Sequence, residues 1–178
     1  MPRIIIGCLV LFVSGIAFAK DLPNIDRIFS DADFHPSIPS RIAIESVYGK
    51  GKVLSKDGIE YVFYNIGNNR QMRLSYSEGS SASTTFVTEI TVCRCKLANN
   101  VPLAVSPVTT DSLLSIHIND SSRVLERNHN LYMKSIETIG QKSFQVYERN
   151  PIPSETDLYV RYLVCAGRVI GYSVGVTE

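Results

Sequence analysis

Two runs, IEYVFYN over Ile59–Asn65 and SFQVYER over 143–149, constrain this chain more than any other feature. Each is rich in aromatic and β-branched residues, and each is followed by a second alternating run, QMRLSYS and LYVRYLVC. A third run closes each series, TFVTEITVC in the first half and VIGYSVGV in the second. Asp57-Gly58 between β-rich runs is a strong hairpin signal. When the halves are laid together, Tyr61 falls on Phe144, Phe63 on Val146 and Tyr64 on Tyr147. The order of elements predicts an internal repeat.

Helical signals flank these runs. Ser40 is placed to cap SRIAIESVYG and Gly49 to end it, and Asn119 or Asp120 precedes SSRVLERN. DSLLSIHIN reads as a helical turn followed by a short extended piece. The expected fold is therefore α+β. It consists of two tandem units, each with short helices packed on one face of an antiparallel sheet of about four strands. The expected boundaries are 20–98 for the first unit, 99–112 for a Pro-containing linker and 113–178 for the second.

The chain opens MPRIIIGCLVLFVSGIAFAKDLPN. Arg3, an apolar run over 4–16 and Ala17-Phe18-Ala19 form the pattern of a secretory signal peptide over 1–19, cleaved near Ala19. The run is shorter than the roughly 20 apolar residues of a spanning helix. The expected location is periplasmic or secreted, with no stable membrane insertion after cleavage. Formal charge is +1, with 18 basic and 17 acidic residues and no basic tract, so nucleic acid is not an expected partner. Cys93, Cys95 and Cys165 follow the signal segment. In an oxidising compartment one disulfide is expected, between Cys165 and either Cys93 or Cys95. Such a bridge closes a loop of about 70 residues, worth about 4 kcal/mol on a chain-entropy account. Cys93 with Cys95 is disfavoured, because residues i and i+2 of an extended strand stand too far apart.

Strand parity sorts the faces. One apolar set is Ile59, Tyr61, Phe63, Met72, Leu74 and Tyr76, and its counterpart is Phe144, Val146, Leu158, Val160, Tyr162 and Val164. These are expected to pack on helices through Ile42, Val47, Val124 and Leu125. The opposite face carries Val62, Tyr64, Arg73, Gln145, Tyr147, Tyr159 and Arg161. Tyrosine and arginine concentrate binding energy at interfaces. Tyr64, Arg73, Tyr147, Tyr159 and Arg161 are thus the candidate partner-binding residues.

Catalytic signals are weak. His35, His117 and His129 are the histidines, and no Gly-x-Ser-x-Gly, His-Glu-x-x-His or phosphate-cradling loop occurs. Asp31, Asp33 and His35 alternate but form a poor cation set. The expectation is a non-enzyme with no cofactor and no metal.

SRIAIESVYGKGKVLSKDGIEYVFYN with MRLSYSEG, and NDSSRVLERN with KSFQVYER and LYVRYLVCAGRVIGYSV, resemble the beta-lactamase-inhibitor-protein-like fold. The same unit occurs singly in small outer-membrane assembly lipoproteins of the SmpA/OmlA type. Tyr48-Gly49 echoes the helix exit of those families, while Asn128-His129 departs from it. The resemblance implies a non-catalytic module that grips a protein partner with a sheet face. The expected function is an inhibitor or immunity-type protein acting on an envelope or secreted enzyme, with EGSSAST and NPIPSETD as contact loops. The alternative is an envelope assembly or scaffold factor, and a small hydrolase is the remote third.

Overall fold

A computed structural model of the chain describes residues 25–26, 40–77, 87–128, 131–139, 142–149 and 158–176. The expected signal segment, Asp31, Asp33, His35, His129 and both expected contact loops lie outside the described residues.

The expected pair of helix-plus-sheet units is not what forms. The chain builds one eight-stranded antiparallel sheet in the order β1-β2-β3-β4-β10-β9-β8-β7. The strands are β1 (Lys52–Lys56), β2 (Ile59–Asn65), β3 (Gln71–Ser77) and β4 (Val87–Cys93), then β7 (Leu131–Ile139), β8 (Lys142–Arg149), β9 (Leu158–Cys165) and β10 (Arg168–Val176). A separate hairpin joins β5 (Ser112–Leu113) and β6 (Ile116–His117). The named helices are short: α1 (Arg41–Tyr48) and α2 (Arg123–Glu126).

The two series of strands fuse because β4 and β10 pair directly, Cys93 opposite Gly171 and Glu89 opposite Gly175. Both glycines have a steric reason. A Cβ on Gly171 would lie 2.5 Å from the Val92 carbonyl oxygen, and one on Gly175 would lie 2.4 Å from the Tyr159 ring. A side chain at either position would push the seam apart.

Local signals were obeyed at several turns. Asp57 (φ 53°) and Gly58 (φ 78°) are both left-handed, as are Ala166 (φ 50°) and Gly167 (φ 72°) between β9 and β10. That is the conformation of a tight hairpin whose twist matches its strands. Ser40 Oγ accepts from the Ala43 N–H, and Gly49 (φ 79°) ends α1 with its N–H on the Glu45 carbonyl. At 112–117 a hairpin replaces the expected helical turn, with Leu114 and Ser115 left-handed between β5 and β6.

The apolar core lies between the sheet and α1, α2 and the crossing segment 103–118. It holds Ile44, Tyr48, Leu125, Ala104 and Val108 against Tyr64, Met72, Leu74, Tyr76, Ile90, Val92, Tyr162 and Tyr172. Each fully buried large side chain contributes about 1.5–3 kcal/mol relative to exposure. Ile44 and Tyr48, one turn apart, are the inward residues of α1, and Ile42 and Val124, expected inside, are 54% and 42% exposed. Leu125 is fully buried as expected, and Val47 packs against the core.

The face assignment of β2 and β8 is reversed relative to the sequence expectation. Tyr64 pairs with Met72 and Phe63 with Arg73, while Tyr147 pairs with Tyr162 and Val146 with Leu163. Cross-strand partners share a face. Tyr64 and Tyr147 therefore lie on the helix side, and Tyr61, Phe63, Phe144 and Val146 lie on the second face. Met72, Leu74, Tyr76, Val160, Tyr162 and Val164 do face the helices. The physical cause is register. A one-residue change in pairing moves a whole strand set to the other face, and the loop between the strands decides it.

Candidate functional site

The five candidate partner-binding residues do not form one surface. Tyr64 is fully buried beneath α1, donates its hydroxyl to the Gly49 carbonyl at 2.8 Å and meets the Tyr48 ring edge-on. Burial, with the Glu45 carboxylate adding to it, pushes its phenol up to about 12. Tyr147 is buried against the same core, and burial together with the Glu126 carboxylate pushes its phenol up.

Arg73, Tyr159 and Arg161 do meet, on the second face, around a residue the sequence reading passed over. Glu89 Oε1 accepts from Arg73 and, at 2.7 Å, from the Thr91 hydroxyl. Its Oε2 accepts from the Tyr159 hydroxyl at 2.5 Å and lies 3.5 Å from Arg161. Arg161 Nε donates to Glu148 Oε2 at 2.7 Å. The Arg161 guanidinium lies 4.0 Å from the Tyr159 ring centre, and that of Arg73 lies 5.3 Å from the Tyr61 ring centre. Glu89 and Glu148 are buried. Burial pushes the Glu89 carboxyl up, but Arg73, the hydroxyls of Tyr159 and Thr91, and Arg161 together outweigh it and hold the group below the usual carboxylate range. Burial and the same carboxylate push the Tyr159 phenol upward. Two arginines and two glutamates cancel, so the cluster binds itself across the seam between β4 and β10. One signal for it was present in sequence: Glu89 and Thr91 alternate with Ile90 and Val92, placing a charge in the middle of an apolar strand.

The rest of the second face is an apolar cluster of Phe63, Cys93, Cys95, Leu97, Phe144, Val146 and Leu163, with Cys165 packed against it. The expected bridge from Cys165 to Cys93 or Cys95 is corrected: Cys93 is bonded to Cys95, and Cys165 is a free thiol. β4 ends at Cys93, and the chain bends through Arg94 and Cys95. Two Cα atoms that stand about 6.5 Å apart on an extended strand, near the upper end of the disulfide range, are here 5.2 Å apart, well within it.

Beside this disulfide is a polar groove of two lobes that meet at Asn69, Arg70 and Arg94. The smaller lobe, about 320 Å³, is completed by Asn65, Gln71, Cys95 and Lys96. The larger, about 510 Å³, is completed by Asn68, Thr109, Asp111, Ile118 and Asn119. Arg70 is buried, donating to the Val108 and Thr110 carbonyls at 2.9 and 2.7 Å.

The outer edge of β7 has no further strand among the described residues. The register of β7 on β8 shifts between Met133 and Ser135. The shift puts Met133, opposite Tyr147, and Ile136, opposite Gln145, on the same helix-side face. They are 55% and 69% exposed.

Among the described residues, no group of three His, Cys, Asp or Glu side chains is placed to hold a metal ion. His117 is exposed, 3.8 Å from Asp120. No helix of the described residues is long and apolar enough to cross a membrane.

No family model matches the chain, and no curated protein matches it. Among solved structures it is similar to a cysteine-rich secretory protein from Staphylococcus aureus, at 9% identity and a TM-score of 0.46. That likeness covers 78% of this chain and 44% of the other, so the chain spans less than half of that protein's length.

Proposed function

We infer that the chain is an exported, non-catalytic protein-binding module that takes up an extended segment of a partner along β7. One observation carries this reading. The sheet ends at a nine-residue strand that has no further strand on its outer edge among the described residues and is flanked, on one face, by the exposed Met133 and Ile136. An unpaired edge offers a row of backbone donors and acceptors to a partner strand, and apolar side chains beside it supply specificity. The tyrosines and arginines expected to bind are committed inside the molecule, so the contact moves from the sheet face to its edge. An inhibitor or immunity-type role acting on an envelope or secreted enzyme fits a module of this kind.

A photo-cross-linking residue at position 136, in the full chain in its producing cell, tests this. The expected result is one discrete adduct, mapped by mass spectrometry to an extended segment of a single partner and lost with Met133→Lys. The same probe at Leu54, on the opposite edge strand, should give none. No adduct at 136, equal adducts at both edges, or an adduct with a second copy of this chain would each overturn the reading.

A further inference from the structure

We propose that the smaller lobe of the polar groove is an oxyanion-binding site whose basic rim is held in place by the Cys93–Cys95 disulfide. The ligand it fits carries a carboxylate or phosphate group joined to an uncharged polar portion.

The argument begins with alternation along one short segment. Over Cys93, Arg94, Cys95, Lys96 and Leu97 the side chains run buried, exposed, buried, exposed, buried. Cys93, Cys95 and Leu97 anchor inward in the apolar cluster. Arg94 and Lys96 are turned outward together, and both line the smaller lobe. The segment is pinned along its length. The disulfide closes across Arg94, whose N–H donates to the Ile170 carbonyl at 2.6 Å. Further on, the N–H groups of Leu97 and Ala98 both donate to Gln71 Oε1, at 2.6 and 2.9 Å, and Gln71 Nε2 donates back to the Ala98 carbonyl at 3.1 Å.

Charge then selects the ligand. The smaller lobe is lined by Arg70, Arg94 and Lys96 and by no carboxylate. None of the three cations has an ion-pair partner among the described residues, in contrast to Arg73 and Arg161 a few strands away. Arg70 is more than nine-tenths buried, and its Nε is a buried donor with no partner in the described structure. That nitrogen is closed to solvent and the two Nη atoms are taken by the Thr110 and Val108 carbonyls, so Arg70 acts on a bound oxyanion through its charge, and the exposed Arg94 and Lys96 make the contact. The larger lobe differs: Asp111 lines it, with Asn68, Asn69, Thr109 and Asn119. Its one carboxylate faces the two arginines shared with the smaller lobe, and its amide and hydroxyl side chains suit uncharged polar groups. Each lobe has the size of a small-molecule site or of a few residues of peptide.

The disulfide makes the site redox-dependent. A dithiol reductant breaks the Sγ–Sγ bond by two successive exchanges. It leaves Cys93 and Cys95 as thiols and is itself oxidised to a disulfide, two electrons and two protons passing to the protein. The ring across Arg94 then opens, and the rim keeps only the Ile170 and Gln71 hydrogen bonds and the buried Leu97 to hold it.

Titration of the full chain by NMR with inorganic phosphate and, separately, with glutarate tests this and distinguishes the two oxyanions. Saturable shifts are expected at Asn69, Arg94 and Lys96, weakening with added salt. Arg94→Gln or Lys96→Gln should weaken binding about tenfold each, since a charge-assisted contact is lost. Both residues are exposed, so neither change threatens the fold. Dithiothreitol should weaken binding by a similar factor in the wild-type chain. No saturable binding of either ion, or binding unchanged in the Arg94→Gln/Lys96→Gln double variant, overturns the site. Binding indifferent to reduction overturns the role of the disulfide.

Discussion

The two faces of the central sheet bury side chains by different means. The helix side is filled by size: Tyr64, Met72, Leu74, Tyr76, Tyr162 and Tyr172 are essentially inaccessible, and the hydroxyls of Tyr64 and Tyr162 donate to the Gly49 and Leu113 carbonyls. The second face carries an apolar cluster and, with it, a set of charges buried by cancellation: Glu89, Arg73, Arg161 and Glu148 lie side by side across five strands, charge against charge. An apolar core degrades gradually when atoms are removed, whereas a balanced buried network fails when one member goes. The comparison breaks most sharply at Glu89. Replacing Glu89 with Gln leaves two half-buried guanidinium groups facing one remaining carboxylate. The expected loss is about 3–5 kcal/mol in urea-induced unfolding. A loss below about 1 kcal/mol would mean that the network is hydrated and loosely held, and the contrast between the faces would disappear.

Acid sharpens the same contrast. The folded pKa of Glu89 is depressed. A depressed carboxylate contributes stability that is fully present above its unfolded value, about 4.3, and is lost as pH falls through the lower folded value. The stability gap between wild type and Glu89→Gln should therefore be constant from pH 7 to about 5 and should narrow below about 4. A gap that stays constant into strong acid would show that the carboxylate contributes by shape alone. Variants confined to the helix side, such as Leu74→Ala, should show no such convergence.

What could be read in advance divides along the same line. Strands, the Asp57-Gly58 hairpin and the α1 caps depend on neighbours in sequence, and these were legible. The face each strand presents was legible for β3 and β9 but not for β2 and β8. Their orientation depends on the pairing of Tyr64 with Met72 and of Tyr147 with Tyr162, which the intervening loops set. That single ambiguity moved Tyr64 and Tyr147 from a supposed binding surface into the core. The merger into one sheet was hidden for a similar reason. Gly171 and Gly175 explain themselves only in the folded sheet, where Val92 of β4 and the Tyr159 ring of β9 leave no room for a side chain. The disulfide was misjudged because the distance argument assumed that the strand continues through Cys95, whereas it ends at Cys93. Arg73, Tyr159 and Arg161 share a face as parity implied, but their partner Glu89 lies on a different strand from each, and only the register brings it to them.

Smaller effects separate the tyrosines of the helix side from one another. Tyr64→Phe removes the donor to the Gly49 carbonyl, which belongs to the left-handed residue that ends α1. A lost hydrogen bond of this kind costs about 1 kcal/mol, visible as a lower urea midpoint with unchanged slope. An unchanged midpoint would mean that the carbonyl has found another donor.

Tyr76 should behave differently although it is buried to the same degree. Its hydroxyl has no hydrogen-bond partner among the described residues, and burial pushes its phenol far up. The Arg41 guanidinium stands 5.9 Å from the ring centre, so it engages the π face that phenylalanine would keep. Tyr76→Phe removes an oxygen that is desolvated on folding and gains no bond in return. The expected change is between zero and a gain of about 1 kcal/mol. A loss comparable to that of Tyr64→Phe would show that the Tyr76 hydroxyl is bonded, through water or through a residue beyond those described. The helix side would then bury polar atoms by partnership, as the second face does.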